Sequence, residues 1–224
     1  MPSLAAYLAL DAVSAGLSLL IVGSFFRLWL RSRDSLHSLY ATGFLIIGAS
    51  FLSSAASEFN LAGPPLTVDA VQVSGPLVGA IVLLLAYVSF RRHGRARFWI
   101  VLAWTVSAVG LVFAFLYVVV PPFATLPDLG TYLPIAHAIT FLVLLGCAGL
   151  STRGFAKRPT VDRTLVPIGF LCLSLTKYTW LLFDLSRSEA LPPFVYVWRL
   201  LGIAMFLLPI YLPTEWKGKF LASP

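Results

Sequence analysis

Six ionisable side chains lie within or at the ends of long apolar stretches: Asp11, Glu58, His137, Lys177, Asp184 and Arg199. A charge is costly to hold in hydrocarbon, so such residues turn toward a bundle interior or a water-filled cavity. Lys177, Trp180 and Asp184 recur at i, i+3 and i+7, which is one face of a helix. Tyr7, Asp11, Ser14 and Ser18 form a second stripe at helical spacing. Ser50, Ser53, Ser54, Ser57 and Glu58 offer a third, and Asp69 and Gln72 follow it. His137 and Arg199 each fall about two turns into their stretches, at roughly 1.5 Å per residue. Opposite charges at one depth predict a mutually neutralised set. Two readings of that set stand side by side: an ion-pair network that fixes helix register, or a binding site or proton path for a small solute or ion. For the serines alone, close helix contact and interhelical hydrogen bonding is the simpler reading.

The same residues bear on cofactors. Bis-histidine haem needs two imidazoles at one depth on facing helices, and only His137 lies inside a stretch, with His37 and His93 at the opposite ends. His137 with Asp11 or Glu58 makes a thin metal ligand set. Lys177 is an amine suited to a Schiff base, with Asp11 or Asp184 as counter-ion. Microbial rhodopsins, however, carry that lysine in the seventh helix, and here it falls in the sixth. No cofactor and no metal are expected. The chain has no Gly-rich phosphate loop, GxSxG, HExxH or CxxC, so an enzyme is not expected. Cys147 and Cys172 read as small apolar packing residues.

The elements that position these residues follow from composition. Of 224 residues, 59% are hydrophobic and 11% charged, far from the balance of a soluble domain. A bilayer core of about 30 Å takes roughly 20 apolar residues per helix. Seven such spans are read, at 5–30, 35–57, 69–90, 98–120, 131–150, 164–186 and 192–212. The expected fold is all-α: a polytopic seven-helix membrane bundle in which residues 1–224 form one domain. Trp99 to Val120 carries no charge at all. Ala103, Ser107, Ala108 and Gly110 give that fourth span a small-residue face.

The net charge of +7 is a matter of topology. Arg27, Arg31 and Arg33 follow the first span; Arg91, Arg92, Arg95 and Arg97 join the third and fourth. Arg153, Lys157, Arg158 and Arg163 join the fifth and sixth; Lys217 and Lys219 follow the seventh. All four groups share one side, and Glu58, Asp69, Asp128, Asp184 and Glu189 share the other. The positive-inside rule places the N-terminus outside and the C-terminus in the cytoplasm of a multi-pass cell-membrane protein. The basic groups then meet anionic lipid, and no nucleic-acid partner is expected. With no Lys or Arg ahead of Arg27, the first span reads as a retained helix rather than a signal peptide.

A repeat is expected as well. An offset of 126 residues lays Gly43-Phe44-Leu45 over Gly169-Phe170-Leu171, Glu58 over Asp184, and Asp11 over His137. An offset of 123 lays Leu77 to Ile81 over Leu200 to Ala204. This makes two parallel triple-helix halves, 5–90 and 131–212, joined by a linker helix at 98–120. The plan resembles that of the SWEET-type sugar transporters, which share the 3+1+3 order and the outside N-terminus. The resemblance is architectural. That family has prolines in its first, second, fifth and sixth helices; here the first two spans have none, while Pro134 and Pro167 sit near the starts of the fifth and sixth. The expected function is a carrier or channel-like protein that binds a small solute or ion in its outer half. The alternatives are a receptor-like sensor with a separate cytoplasmic partner, or a non-catalytic subunit of a larger membrane complex. A homo-oligomer is compatible with any of the three.

Overall fold

The structure, a computed structural model, describes residues 4–33, 35–58, 65–91, 101, 102, 105, 129–157 and 161–211. Six helices are laid out in order: α1 (Leu4–Ser32), α2 (Ser35–Glu58), α3 (Pro65–Arg91), α4 (Leu129–Lys157), α5 (Val161–Ser186) and α6 (Pro192–Tyr211). They correspond to the first, second, third, fifth, sixth and seventh spans of the sequence reading. Most of the fourth span, 98–120, lies outside the described residues. Within it Val101, Leu102 and Thr105 are helical, and the Thr105 hydroxyl donates to the Val101 carbonyl at 2.9 Å.

Five of the helices, α1, α2, α4, α5 and α6, are long and apolar enough to cross a membrane, and α3 contributes a shorter apolar stretch, Ser74–Val88. The chain is a helical membrane protein. A helix suits these sequences because lipid offers a backbone no hydrogen-bond partners, and a helix satisfies its amide groups internally. Proline opens both α3 and α6, where its missing N–H costs nothing. Arg33 and Arg187 stop α1 and α5 in the left-handed region, at φ of 56° and 54°. Each turns its N–H back onto the carbonyl four residues earlier, Trp29 and Phe183, at 2.7 Å. Leu20, Leu52, Leu142, Leu171 and Val197 are exposed, as a surface meant for acyl chains requires.

Each helix packs on the next, and α6 packs back on α1, so the six close into a ring. Its upper end is where α1, α3, α4 and α6 begin and where α2 and α5 end. The lower half is filled by aromatic rings from several helices. Phe206 of α6 meets Phe44 of α2 at 4.9 Å and Phe170 of α5 at 4.7 Å between ring centres. Tyr87 of α3 meets Phe170 and Tyr40, and Phe25 of α1 completes the cluster against Tyr40 and Phe44.

Two glycine crossings bring helices together. Between α2 and α3, a Cβ on Gly79 would stand 2.8 Å from the Gly43 carbonyl oxygen and 2.6 Å from Ile47 Cγ1. Between α5 and α6, a Cβ on Gly202 would stand 3.0 Å from the Gly169 carbonyl oxygen and from Leu173 Cγ. At both crossings the backbones occupy the space a side chain would need. Gly75 continues the first crossing upward, where the Ser50 Cβ fills its missing side chain.

Candidate functional site

The upper half holds the buried ionisable groups among the described residues. Asp11 stands on α1 seven residues beyond Leu4, and Arg199 on α6 seven residues beyond Pro192. Because α1 and α6 run parallel and touch, the two reach one depth. Arg199 Nη1 lies 2.6 Å from Asp11 Oδ1, with the two side chains only 6% and 1% exposed. The approach is off the line of an aligned N–H···O bond, and neither Asp11 Oδ2 nor Arg199 Nε has a hydrogen-bond partner among the described residues. This is an ion pair that uses little of either group's bonding capacity.

Aromatic rings hold the arginine. Its guanidinium carbon lies 4.6 Å from the centre of the Phe51 ring on α2 and 4.4 Å from that of Tyr196, one turn above it on α6. Such placement favours a desolvated cation through the ring quadrupole. Tyr196 is backed in turn by Tyr7 of α1, at 5.1 Å between ring centres.

A second pair joins α4 to α5. His137 Nε2 is 3.7 Å from Asp184 Oδ2, too long for a hydrogen bond and near enough for electrostatic coupling. The imidazole lies nearly parallel to the Trp180 indole, at 6.2 Å and 14°. His137 Nδ1 is buried without a hydrogen-bond partner among the described residues. Lys177, one turn below Trp180 on the same face of α5, is buried at 8% exposure. It is within electrostatic reach of His137, Asp184 and Arg199.

Five of the six residues singled out in the sequence therefore converge from α1, α4, α5 and α6. Glu58 is the last residue of α2, and its side chain lies outside the described residues, as do those of Asp69 and Gln72. The serine stripe plays a different part. Ser14, Ser18 and Ser50 are buried, and each hydroxyl donates to a carbonyl of its own helix, at 2.7, 2.8 and 2.6 Å to Leu10, Ser14 and Ile47. They serve as small, self-satisfied residues that let α1 and α3 approach α2: the Ser18 Cβ fills the space at Gly48, as that of Ser50 does at Gly75. Among the described residues these three do not hydrogen-bond across helices.

Sequence reasoning missed Phe51 and Tyr196. Phe51 looks like any apolar residue of a span, and only its position across the ring from Arg199 sets it apart. Tyr196 had a signal: at i−3 from Arg199 it shares a helix face with a buried cation. Among the described residues no three of His, Cys, Asp and Glu gather into a ligand set for a metal. Comparison with protein-family models, with characterised proteins and with solved structures gives no match to this chain.

Proposed function

We propose that this protein is a small carrier or channel-like membrane protein that binds a small solute or ion at the upper end of its helix ring. The observation that carries the reading is the buried Asp11–Arg199 pair between the first and last helices, beside His137, Lys177 and Asp184. Burying Asp11, Lys177 and Arg199, with Asp184 partly exposed beside them, costs more than packing alone repays, and several of their polar atoms make no hydrogen bond among the described residues. Buried polar groups with spare bonding capacity in a membrane bundle mark a solute path.

The rest of the proposal concerns topology. The chain crosses the membrane seven times, with 98–120 as the fourth span, the N-terminus outside and the basic ends of the helices in the cytoplasm. The upper end is then the outer half. The two triple-helix units form a repeat joined by that fourth span. The glycine crossings support it: Gly43 against Leu83 and Gly79 corresponds, at the offsets of 126 and 123, to Gly169 against Phe206 and Gly202. Ile47 against Gly79 corresponds in the same way to Leu173 against Gly202. Sites in repeat-built carriers lie between the halves, which is where Asp11 and Arg199 meet.

Uptake into proteoliposomes tests the function. Protein that transports will accumulate its solute above empty vesicles, and Asp11→Ala and His137→Ala will abolish uptake while the purified variants still elute as folded species. Wild-type uptake by both variants removes this site from the mechanism.

A further inference from the structure

We infer that the ligand of the upper site carries a carboxylate, which Arg199 takes in exchange for Asp11. The inference rests on the carrier reading and narrows its substrate. It starts from the way Arg199 is held. Its guanidinium lies against Phe51 and Tyr196, so its donors are confined to the in-plane edge of the group. A guanidinium edge matches a carboxylate with two parallel N–H···O bonds, the strongest arrangement open to it. Asp11 does not make that arrangement. It approaches Nη1 without an aligned hydrogen bond, and neither its oxygens nor Arg199 Nε have a hydrogen-bond partner among the described residues. Asp11 is thus a counter-charge placed where a better-aligned carboxylate can displace it.

Lys177 strengthens the case. Among the described residues it has no carboxylate within 4 Å, yet it is buried and within electrostatic reach of Arg199. Asp11 and Asp184 already balance the two cations, so a bare metal cation adds an uncompensated charge and leaves Lys177 without a carboxylate. An uncharged polyol leaves Lys177 in the same condition. A carboxylate can meet both Lys177 and Arg199.

The charge count limits the ligand further. With His137 neutral, the described groups of the site are two carboxylates, the buried Asp11 and the partly exposed Asp184, and two buried cations, Lys177 and Arg199. A balanced site in a low-dielectric surround accepts most cheaply a ligand that adds no net charge. Two sources share the required chemistry: a zwitterionic amino acid, whose ammonium takes the displaced Asp11, or a simple monocarboxylate that enters with a proton.

The test uses the full chain in detergent and in proteoliposomes, with propionate, glycine, glucose and potassium chloride as probes at matched ionic strength. Propionate or glycine will raise the thermal midpoint and will be taken up, and glucose will do neither. Internal acidification, followed with a trapped pH dye and faster than that of protein-free vesicles, through which propionic acid also leaks, will accompany propionate and not glycine, which separates the two sources. Arg199→Lys keeps the charge and loses the planar fork, and will weaken carboxylate binding by roughly tenfold or more. The double variant Asp11→Asn with Arg199→Gln removes both charges together and leaves neither unpaired; it will lose carboxylate binding. Undiminished carboxylate binding in the double variant overturns the inference. Uptake of glucose or potassium that depends on Asp11, with no response to carboxylates, also overturns it while keeping the carrier reading. Arg199-dependent carboxylate binding without uptake of any probe supports the carboxylate site and overturns the carrier reading instead.

Discussion

The first three helices, α1 to α3, and the last three, α4 to α6, which we propose to be two units of a repeat, share a pattern of crossings and differ in chemistry. Each brings its second and third helices together over a pair of glycines, and each buries a phenylalanine, Phe44 or Phe170, beside that crossing. Ser14 and Thr140, separated by the offset of 126, are both fully buried and both donate to the carbonyl four residues earlier. The ionisable positions diverge. At the offsets of the proposed repeat, Arg199 falls opposite Pro76, Lys177 opposite Phe51, and His137 opposite Asp11. The backbone frame is thus set by where side chains are missing, and the site by which unit supplies the charge. The second unit supplies both cations and the histidine. The first contributes the counter-charge Asp11 and the ring of Phe51. A frame this constrained leaves room for its lining to change, because the contacts that fix it lie mostly below the charged residues.

The largest test of that division strikes the pair between the units. Arg199→Ala leaves Asp11 buried without its counter-charge and will destabilise the protein by about 3 kcal/mol or more. The double variant Asp11→Asn with Arg199→Gln will recover much of that loss, as read from unfolding in graded denaturing detergent. Recovery shows that the charges, rather than the packing, carry the penalty. Next come the glycines. Gly79→Ala and Gly202→Ala overfill their crossings and will cost about 1–3 kcal/mol each. Gly79→Ala will be the worse of the two, because its nearest atoms are closer. Gly16→Ala, where no atom lies within 4 Å of the added Cβ, is the control and will stay within about 0.5 kcal/mol of wild type. Equal tolerance of alanine at Gly16 and Gly79 would break the argument that missing side chains set the frame. Phe170→Leu removes two edge-to-face contacts, to Tyr87 and Phe206, and will cost about 1 kcal/mol beyond the lost area. The smallest effect belongs to Ser14→Ala and Thr140→Val. Each hydroxyl bonds only its own helix, so thermal midpoints will move by less than for any glycine variant.

Much of this was legible in the chain because its signals are local. For the described spans most ends fall within a few residues of the helix ends, since hydrocarbon thickness and flanking Arg and Lys fix both; the exception is the fifth, read to 150, whose helix runs on to Lys157. The shared face of Lys177, Trp180 and Asp184 follows from helical period alone. Pairing was not legible. Asp11 has several cations at its depth, and the choice of Arg199 depends on ring closure between α1 and α6, which no local pattern encodes. For the serines the expected close helix contact is found, at Gly48 and Gly75, but the direction of their hydroxyls was not legible: at helical spacing they look the same whether they bond a neighbour or their own backbone. Phe51 was hidden because an aromatic that holds a cation has the same one-letter code as one that faces lipid.

The Asp11–Arg199 pair also sets an order of events during synthesis. Asp11 lies in the first of the described helices and Arg199 in the last. The carboxylate is therefore made well ahead of the guanidinium that neutralises it. Until α6 is made, Asp11 lacks the partner it has in the folded protein, and a chain cut short before α6 never gains it.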